Sequence, residues 1–295
     1  MRRVNPKLGK KVALLKRMGM FAEEDTRVLV RRAITGPDLE RAYELVHRVF
    51  VEKGYIYPEL RGIRIRPFEA LPEMATFVAE CDSQVVGVMS IVPDSPDFGM
   101  PSDHAFGPEL DTLRLQNRRV CEISNLAVDT AYWRSNVFPE LTRACFAQAL
   151  AWGCDNMFIA ISPGHAQFFE EVLQFSHVGD ARDYAAGKGD IVEGKCMDLG
   201  TIEQRAMAID RQLGGQAFLH RHYFTNNPYH ACVGPWAKIA RQAFLEPDTL
   251  RALFIERSGL LEHCSPEQRD GLCRRWGALL FEAVYQETSA ALAYA

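Results

Sequence analysis

The chain reads as an α/β (α+β) protein: a central mixed sheet flanked by helices, with an all-helical C-terminal extension. Three observations predict it. Over residues 26–200 strand-like alternation and helical spacing take turns, in the order β-α-(α)-β-β-β-α-β-α-β-β. "MATFVAEC" and "QVVGVMSIV" flank a polar turn at Asp82 and Ser83, which is a hairpin pattern. Past residue 200 only helical periodicity is left, as in "DTLRALFIERSGLLEHC" and "LCRRWGALLFEAVYQETSAAL". The predicted organisation is a basic arm (1–25), a sheet domain (26–200) and a helical extension (201–295).

Each element has its own signal. "TRVLVRRAI" alternates as a half-buried strand, and Gly36–Pro37–Asp38 follows as a turn, with Asp38 as N-cap of the next helix. That helix, "LERAYELVHRVFVEKGY", gathers Leu39, Ala42, Tyr43, Leu45, Val46, Val49 and Phe50 on one face. An arginine-rich segment, "RGIRIRPFEALPE", precedes the hairpin, and a Pro/Gly/Asp-rich loop is expected over 93–112. "RRVCEISNLAV" is a strand of unusual polar content, followed by a helix over 137–152 and a strand, "NMFIAIS". "PGHAQFFEEVLQF" is a short helix, and "ARDYAAGKG" with "DIVEGKCMDLG" forms a closing hairpin. Thr201 with Gln204, and Ser265 with Gln268, read as capping boxes in the extension.

Bulk properties narrow the function. A 47% hydrophobic, 24% charged chain is ordinary for a soluble core, and no apolar run nears the roughly 20 residues of a membrane span. The net charge of −4 argues against nucleic acid as a partner. Basic residues nevertheless crowd the start: Arg2, Arg3, Lys7, Lys10, Lys11, Lys16 and Arg17 occur there with no acid. This arm has three readings: a solvated tail, a docking surface for an acidic protein, or a peripheral contact with anionic lipid. The cysteines show no C-x-x-C spacing and mostly sit in apolar runs, so reduced core thiols in a cytoplasmic protein are expected, with no metal site.

The order of elements, the central "CEISNLAV" strand, and the "PGHAQFFEEVLQF" helix before a last hairpin resemble the GNAT acyltransferase fold. More narrowly, "YELVHRVFVEKGYI", "EISNLAVD" and "SPGHAQFFEEVLQFSHVGDARDY" resemble segments of the acyl-homoserine-lactone (autoinducer) synthases and N-acyl amino acid synthases. The resemblance covers roughly 26–200 and matches Arg48, Val49 and Phe50 to the core of the family's first helix. Glu122 matches the glutamate that opens its fourth strand, and His165 its histidine before paired aromatics. Asn125 is a departure, because autoinducer synthases carry arginine three residues after the glutamate, and it favours a different acceptor.

The resemblance implies transfer of an acyl group, long-chain by expectation, from a thioester to an amine. GNAT enzymes seat the pyrophosphate of coenzyme A on a glycine-rich turn at a helix N-terminus, where backbone N–H groups and the helix dipole converge. Here "YWRSNVFPEL" has side chains in place of glycines, and Pro139 lacks an N–H. That favours acyl-phosphopantetheine on acyl carrier protein over acyl-CoA as cosubstrate, with no permanently bound cofactor. Arg134 is then a candidate phosphate contact, or an exposed helix-start residue. Carrier protein is acidic, and Arg118, Arg119 and the basic arm offer cationic surface. Two competing functions stay open: an acyl-CoA-dependent GNAT acetyltransferase, and a non-catalytic lipid-binding or interaction module.

An ammonium must lose a proton before it attacks a thioester. Period-two spacing puts Val120, Glu122, Ser124, Leu126 and Val128 on one strand face. A buried carboxylate there costs several kcal/mol unless it is paired or hydrogen-bonded. Two readings follow: Glu122 is the base, with Ser124 orienting water or substrate, or Glu122 is structural and pairs with Arg48. Leu126, Val128, His165, Phe168 and Phe169 are assigned to the donor side, with core packing the alternative for the phenylalanines. Arg48, Phe50, Arg61, Arg64 and Arg66 are assigned to the acceptor side, since guanidinium groups bind an amino-acid carboxylate well, with a solvated basic loop the alternative for Arg61, Arg64 and Arg66. In the fold that the sequence resembles, the fourth strand bulges and splays from the fifth, and backbone N–H groups hold the oxyanion.

Overall fold

Seven strands of the computed structural model build one sheet: β1 (Leu29–Arg32), β2 (Ala75–Cys81), β3 (Gln84–Pro93), β4 (Val120–Val128), β5 (Asn156–Ile161), β6 (Ser176–Tyr184) and β7 (Asp190–Asp198). Their spatial order is β1-β2-β3-β4-β5-β7-β6, and all neighbours are antiparallel except β4 and β5, which run parallel. The residues described are 8–21, 27–184, 190–214 and 218–293. The mixed sheet and the closing hairpin thus form as the sequence predicts, although β7 inserts between β5 and β6.

Helices cover both faces. On one side α4 (Val137–Ala151) sets Leu141 and Phe146 against Phe77, Met89 and Ile91 of the sheet. On the other, α2 (Gly36–Glu52) sets Tyr43 and Val46 against Val78 and Val88. Beyond residue 200 the structure is helical, with α6 (Ile202–Gln212), α7 (Val233–Phe244), α8 (Pro247–Arg251), α9 (Leu260–His263), α10 (Pro266–Trp276) and α11 (Ala278–Ala293). The extension completes both apolar layers, through its helices and the segments between them. Phe218 and Tyr223 join the α4 side, while Phe254 and Trp276 join the α2 side. The Trp276 indole N–H donates to the Ala70 carbonyl at 2.9 Å, which ties the extension to the segment after α2.

The structure corrects several local expectations. Thr35, not Asp38, caps α2, and Asp38 supplies the return bond of the capping box because it lies three residues in. Thr201 starts α6 without a side-chain cap bond, whereas Ser265 and Gln268 do form theirs. The expected loop over 93–112 contains α3 (Asp103–Leu115), which keeps Pro108 by kinking at Phe106. Gly179 and Gly194 let the Phe106 ring lie flat on the β6–β7 hairpin; an added Cβ at Gly179 would stand 2.6 Å from it. The basic arm is helical over α1 (Leu8–Arg17), with Leu8 and Val12 buried and Lys11 paired to Glu171 at 3.2 Å. Arg2, Arg3 and Lys7 lie outside the described residues.

Candidate active site

Strands β4 and β5 pair only through Val120–Asn156, Cys121–Met157 and Glu122–Phe158, and then separate. Against β3, the register of β4 jumps between Ser90–Ser124 and Val88–Ala127, and Asn125 sits at the bulge with φ 51°. Asparagine tolerates this left-handed backbone better than most side chains. One extra residue reverses the strand's phase. Glu122 and Ser124 therefore stay on the α2 side with Ala127, while Leu126 and Val128 pack toward α4. The single face expected from Val120 to Val128 is corrected, because strict alternation presumes an unbroken ladder.

A cavity of about 460 Å³ opens where the two strands diverge. Its polar wall is a connected set of buried groups. Arg64 Nη1 donates to Asn125 Oδ1 at 2.9 Å, and Arg66 Nη2 donates to Ser124 Oγ at 2.9 Å and Glu69 Oε1 at 2.7 Å. Asn125 Nδ2 donates to Glu69 at 2.9 Å and to Ser90 at 3.4 Å, and Ser90 continues to Thr76 and the Tyr43 hydroxyl. Glu69 is only 1% exposed, yet Arg66 and Arg64 hold its carboxyl below the ordinary range against the cost of burial. Two guanidinium groups answer one committed carboxylate, so this wall faces the cavity with surplus positive charge.

Glu122 is 2% exposed and stands apart from that ion pair. Both its oxygens accept from Ser102: Oε1 from the hydroxyl at 2.7 Å and Oε2 from the backbone N–H at 3.0 Å. Burial pushes its pKa up to about 7, against the pull of the Ser102 bonds and the Arg66 charge. A carboxyl that titrates near neutrality in an enclosed cavity is suited to accept a proton from a bound ammonium.

The opposite wall is mostly apolar. Phe138 stands 5.7 Å from Phe168 and 6.0 Å from Phe169, ring centre to ring centre, in edge-to-face contacts. Leu126, Val128 and Ile159 continue this surface. Trp133, Arg134 and His165 complete the side nearest the β4–α4 junction. His165 Nδ1 lies 2.9 Å from Ser162 Oγ, and burial with nearby Lys53 lowers its pKa. Met18 and Met20, just after α1, close this side, and an added Cβ at Gly19 would stand 3.3 Å from the Arg134 carbonyl. At the α4 start, the Val137 N–H is taken by Ser135 Oγ at 3.3 Å, and Pro139 offers none.

A family model for the N-acyl amino acid synthase FeeM matches residues 41–192, just over half of the chain. The chain belongs to this family. Like the other N-acyl amino acid synthases it is an acyltransferase, and it transfers an acyl group to an amine. Among solved structures, FeeM from uncultured soil microbes superposes with a TM-score of 0.54 at 21% identity, covering 60% of this chain and 93% of that one. The acyl-homoserine-lactone synthase LasI gives 0.47 at 16% identity, covering 59% of this chain and 91% of its own. No curated protein matches the sequence.

For this N-acyl amino acid synthase family member, the sequence-assigned residues divide sharply. Glu122, Ser124, Leu126, Val128, Arg134, His165, Phe168, Phe169, Phe50, Arg64 and Arg66 all line the one cavity. Arg48 and Arg61 do not. Arg48 is half exposed and bonds Asp129 at 2.9 Å, so the alternative reading of Glu122 as its ion-pair partner does not hold; α2 directs Arg48 past the strand end. Arg61 lies beside Gly259 of the extension. Arg118 bonds Asn156 and Asp198 at the foot of the sheet. Sequence reasoning missed Ser102, Glu69 and Tyr184. Glu69 had only a faint signal, its place three residues after Arg66, from where its carboxylate accepts the Arg66 backbone N–H at 2.5 Å. Ser102 had none, being hidden in a presumed loop.

Among the described residues, Glu170, His177 and Glu193 converge with the spacing of metal ligands, but the Lys195 ammonium already bonds all three. No helix there is long and apolar enough to cross a membrane.

Proposed function

We propose that this acyltransferase moves a long-chain acyl group from the phosphopantetheine thioester of acyl carrier protein to the amine of an amino acid. The observation that carries the reading is a buried Glu122 carboxyl, hydrogen-bonded to Ser102 rather than ion-paired, beside a surplus of guanidinium charge at the polar end of an apolar cavity. Glu122 takes a proton from the substrate ammonium, directly or through water. The freed amine attacks the thioester carbonyl, the C–S bond breaks, and the thiolate leaves and is protonated. A thiol pKa near 8.5 makes the thiolate a fair leaving group without a dedicated acid, in keeping with phenylalanines at 168 and 169.

Arg64 and Arg66 are assigned to the acceptor carboxylate, with Ser124 orienting the water or amine between them and Glu122. The acyl chain lies along Phe138, Phe168 and Phe169. The carrier-protein donor is supported by the α4 start, where the Val137 N–H is occupied and Pro139 has none, leaving few donors for a diphosphate. Arg134 meets the single phosphate, and the exposed Lys10, Lys16 and Arg17 of α1 and its end face an acidic partner.

The test is to incubate the protein with acyl carrier protein bearing acyl chains and a pool of amino acids, then search for new amides by mass spectrometry. Amides of amino acids are expected with the carrier-bound donor. Product from acyl-CoA alone overturns the donor assignment, and amides only of amines without a carboxylate overturn the acceptor assignment.

A further inference from the structure

Ser102 lies outside the assigned site but makes the two bonds that Glu122 has. It precedes α3, in the segment that joins β3 to β4, and it is fully buried. Its placement is secured from several directions. Arg114 grips Asp94 at 2.7 and 2.8 Å and Asp103 at 2.9 Å, which clamps the two ends of the β3–α3 connection together. Asp103 also accepts the Met100 N–H at 2.7 Å, and the Phe106 N–H donates to the Ser102 carbonyl at 2.8 Å. The Phe106 ring rests on the hairpin glycines, with Arg182 stacked over it at 4.7 Å and bonded to the Ala105 carbonyl. So much fixing of one serine beside a buried carboxyl is more than a loop connection needs.

We propose that Ser102 is a positioning residue: its hydroxyl and amide hold Glu122 in one orientation and set the pH at which that carboxyl becomes a base. The inference rests on Glu122 acting as the base. Hydrogen bonds to a carboxylate favour its charged form, and the hydroxyl bond is the one that a side-chain substitution removes. The groups facing Glu122 are few. Arg66 favours ionisation from the acceptor wall, Asp103 opposes it from α3, Tyr184 on β6 adjoins it with its hydroxyl near Ser102 and 3.3 Å from the Pro101 carbonyl, and its β5 neighbour Phe158 is apolar. Ser102 is therefore the main counterweight to burial. Without it the carboxyl holds its proton to higher pH and turns more freely.

The test is the pH dependence of kcat/KM for Ser102→Ala against the unmodified enzyme. The ascending limb is expected to move up by about one pH unit, giving roughly a tenfold loss on the acid side that fades by pH 9. Ser102→Thr keeps both donors and should leave the limb in place even where its methyl lowers kcat. Ser102→Cys, nearly isosteric with a weak donor, gives the same reading if the alanine variant does not fold. An unmoved limb in the alanine and cysteine variants overturns the proposal. A Glu122→Gln enzyme that keeps full activity sinks the base assignment itself. An inactive Glu122→Gln enzyme with an unmoved Ser102 limb sinks only the role of Ser102.

Discussion

The two walls of the cavity are built by different physics. On the polar wall Arg64, Arg66, Glu69, Ser124, Asn125 and Ser90 form one hydrogen-bonded set with little freedom, since each member fixes the next. On the apolar wall Phe138, Phe168 and Phe169 meet by edge-to-face contact, and Arg134 and Lys53 are cations that line the same cavity. The first wall is directional and intolerant, because a buried polar group that loses its partner costs its whole desolvation. The second is shaped by volume, and apolar volume can be trimmed in small steps. The contrast fits a reaction in which the amine must be aimed within tenths of an ångström while a chain of methylenes need only be accommodated.

The largest expected effect comes from Glu122→Gln, with kcat/KM falling about 10²–10⁴-fold as measured by amide formation. Fold should survive. Because burial raises the folded pKa of Glu122 to about 7, its stabilising contribution is complete below the ordinary carboxylate range and is lost as pH rises through about 7. At pH 8 the glutamine variant should thus melt above the parent, by an equivalent of at most about 3 kcal/mol. A lower melting temperature at pH 8 would refute the raised pKa.

Next is Arg66→Ala. It strands the Glu69 carboxylate in the core, and a loss of about 3–5 kcal/mol is expected in urea unfolding. The double variant Arg66→Ala with Glu69→Gln should regain much of that loss. Failure of the second change to help would mean that the polar wall is not held together by this ion pair.

The apolar wall should answer more gently. Phe168 is half-buried, so Phe168→Ala is expected to cost about 1–2 kcal/mol of stability and to shift preference toward bulkier or longer acyl chains, read as a ratio of kcat/KM values. Equal losses for every chain length would remove the ring from the acyl path. The smallest effect belongs to Arg134→Ala: about a fivefold rise in KM for carrier-bound donor, vanishing at high salt. A salt-independent effect would argue against a phosphate contact.

Much was legible in the sequence because it is written in local periodicity. Alternation placed the strands, helical spacing placed the helices other than α1 and α3, and a polar interruption at "CEIS" in an otherwise apolar strand pointed to the cavity. What local pattern cannot carry is phase and reach. The bulge at Asn125 depends on how β3 and β4 pair, so the side to which Leu126 and Val128 turn was misread. Arg48 was the obvious cation for Glu122 in sequence terms, yet its helix carries it to Asp129.

By itself, the sequence determined the mixed sheet, its helical sequel, a carboxylate on the central strand and a glycine-free turn into the helix that follows it. Only the tertiary structure decided which groups surround that carboxylate. Ser102 is twenty residues from Glu122 along the chain, and Arg66 and Glu69 come from a segment more than fifty away. A proton affinity is the sum of nearby charges, dipoles and excluded water, and those are gathered by folding from distances that no local pattern records.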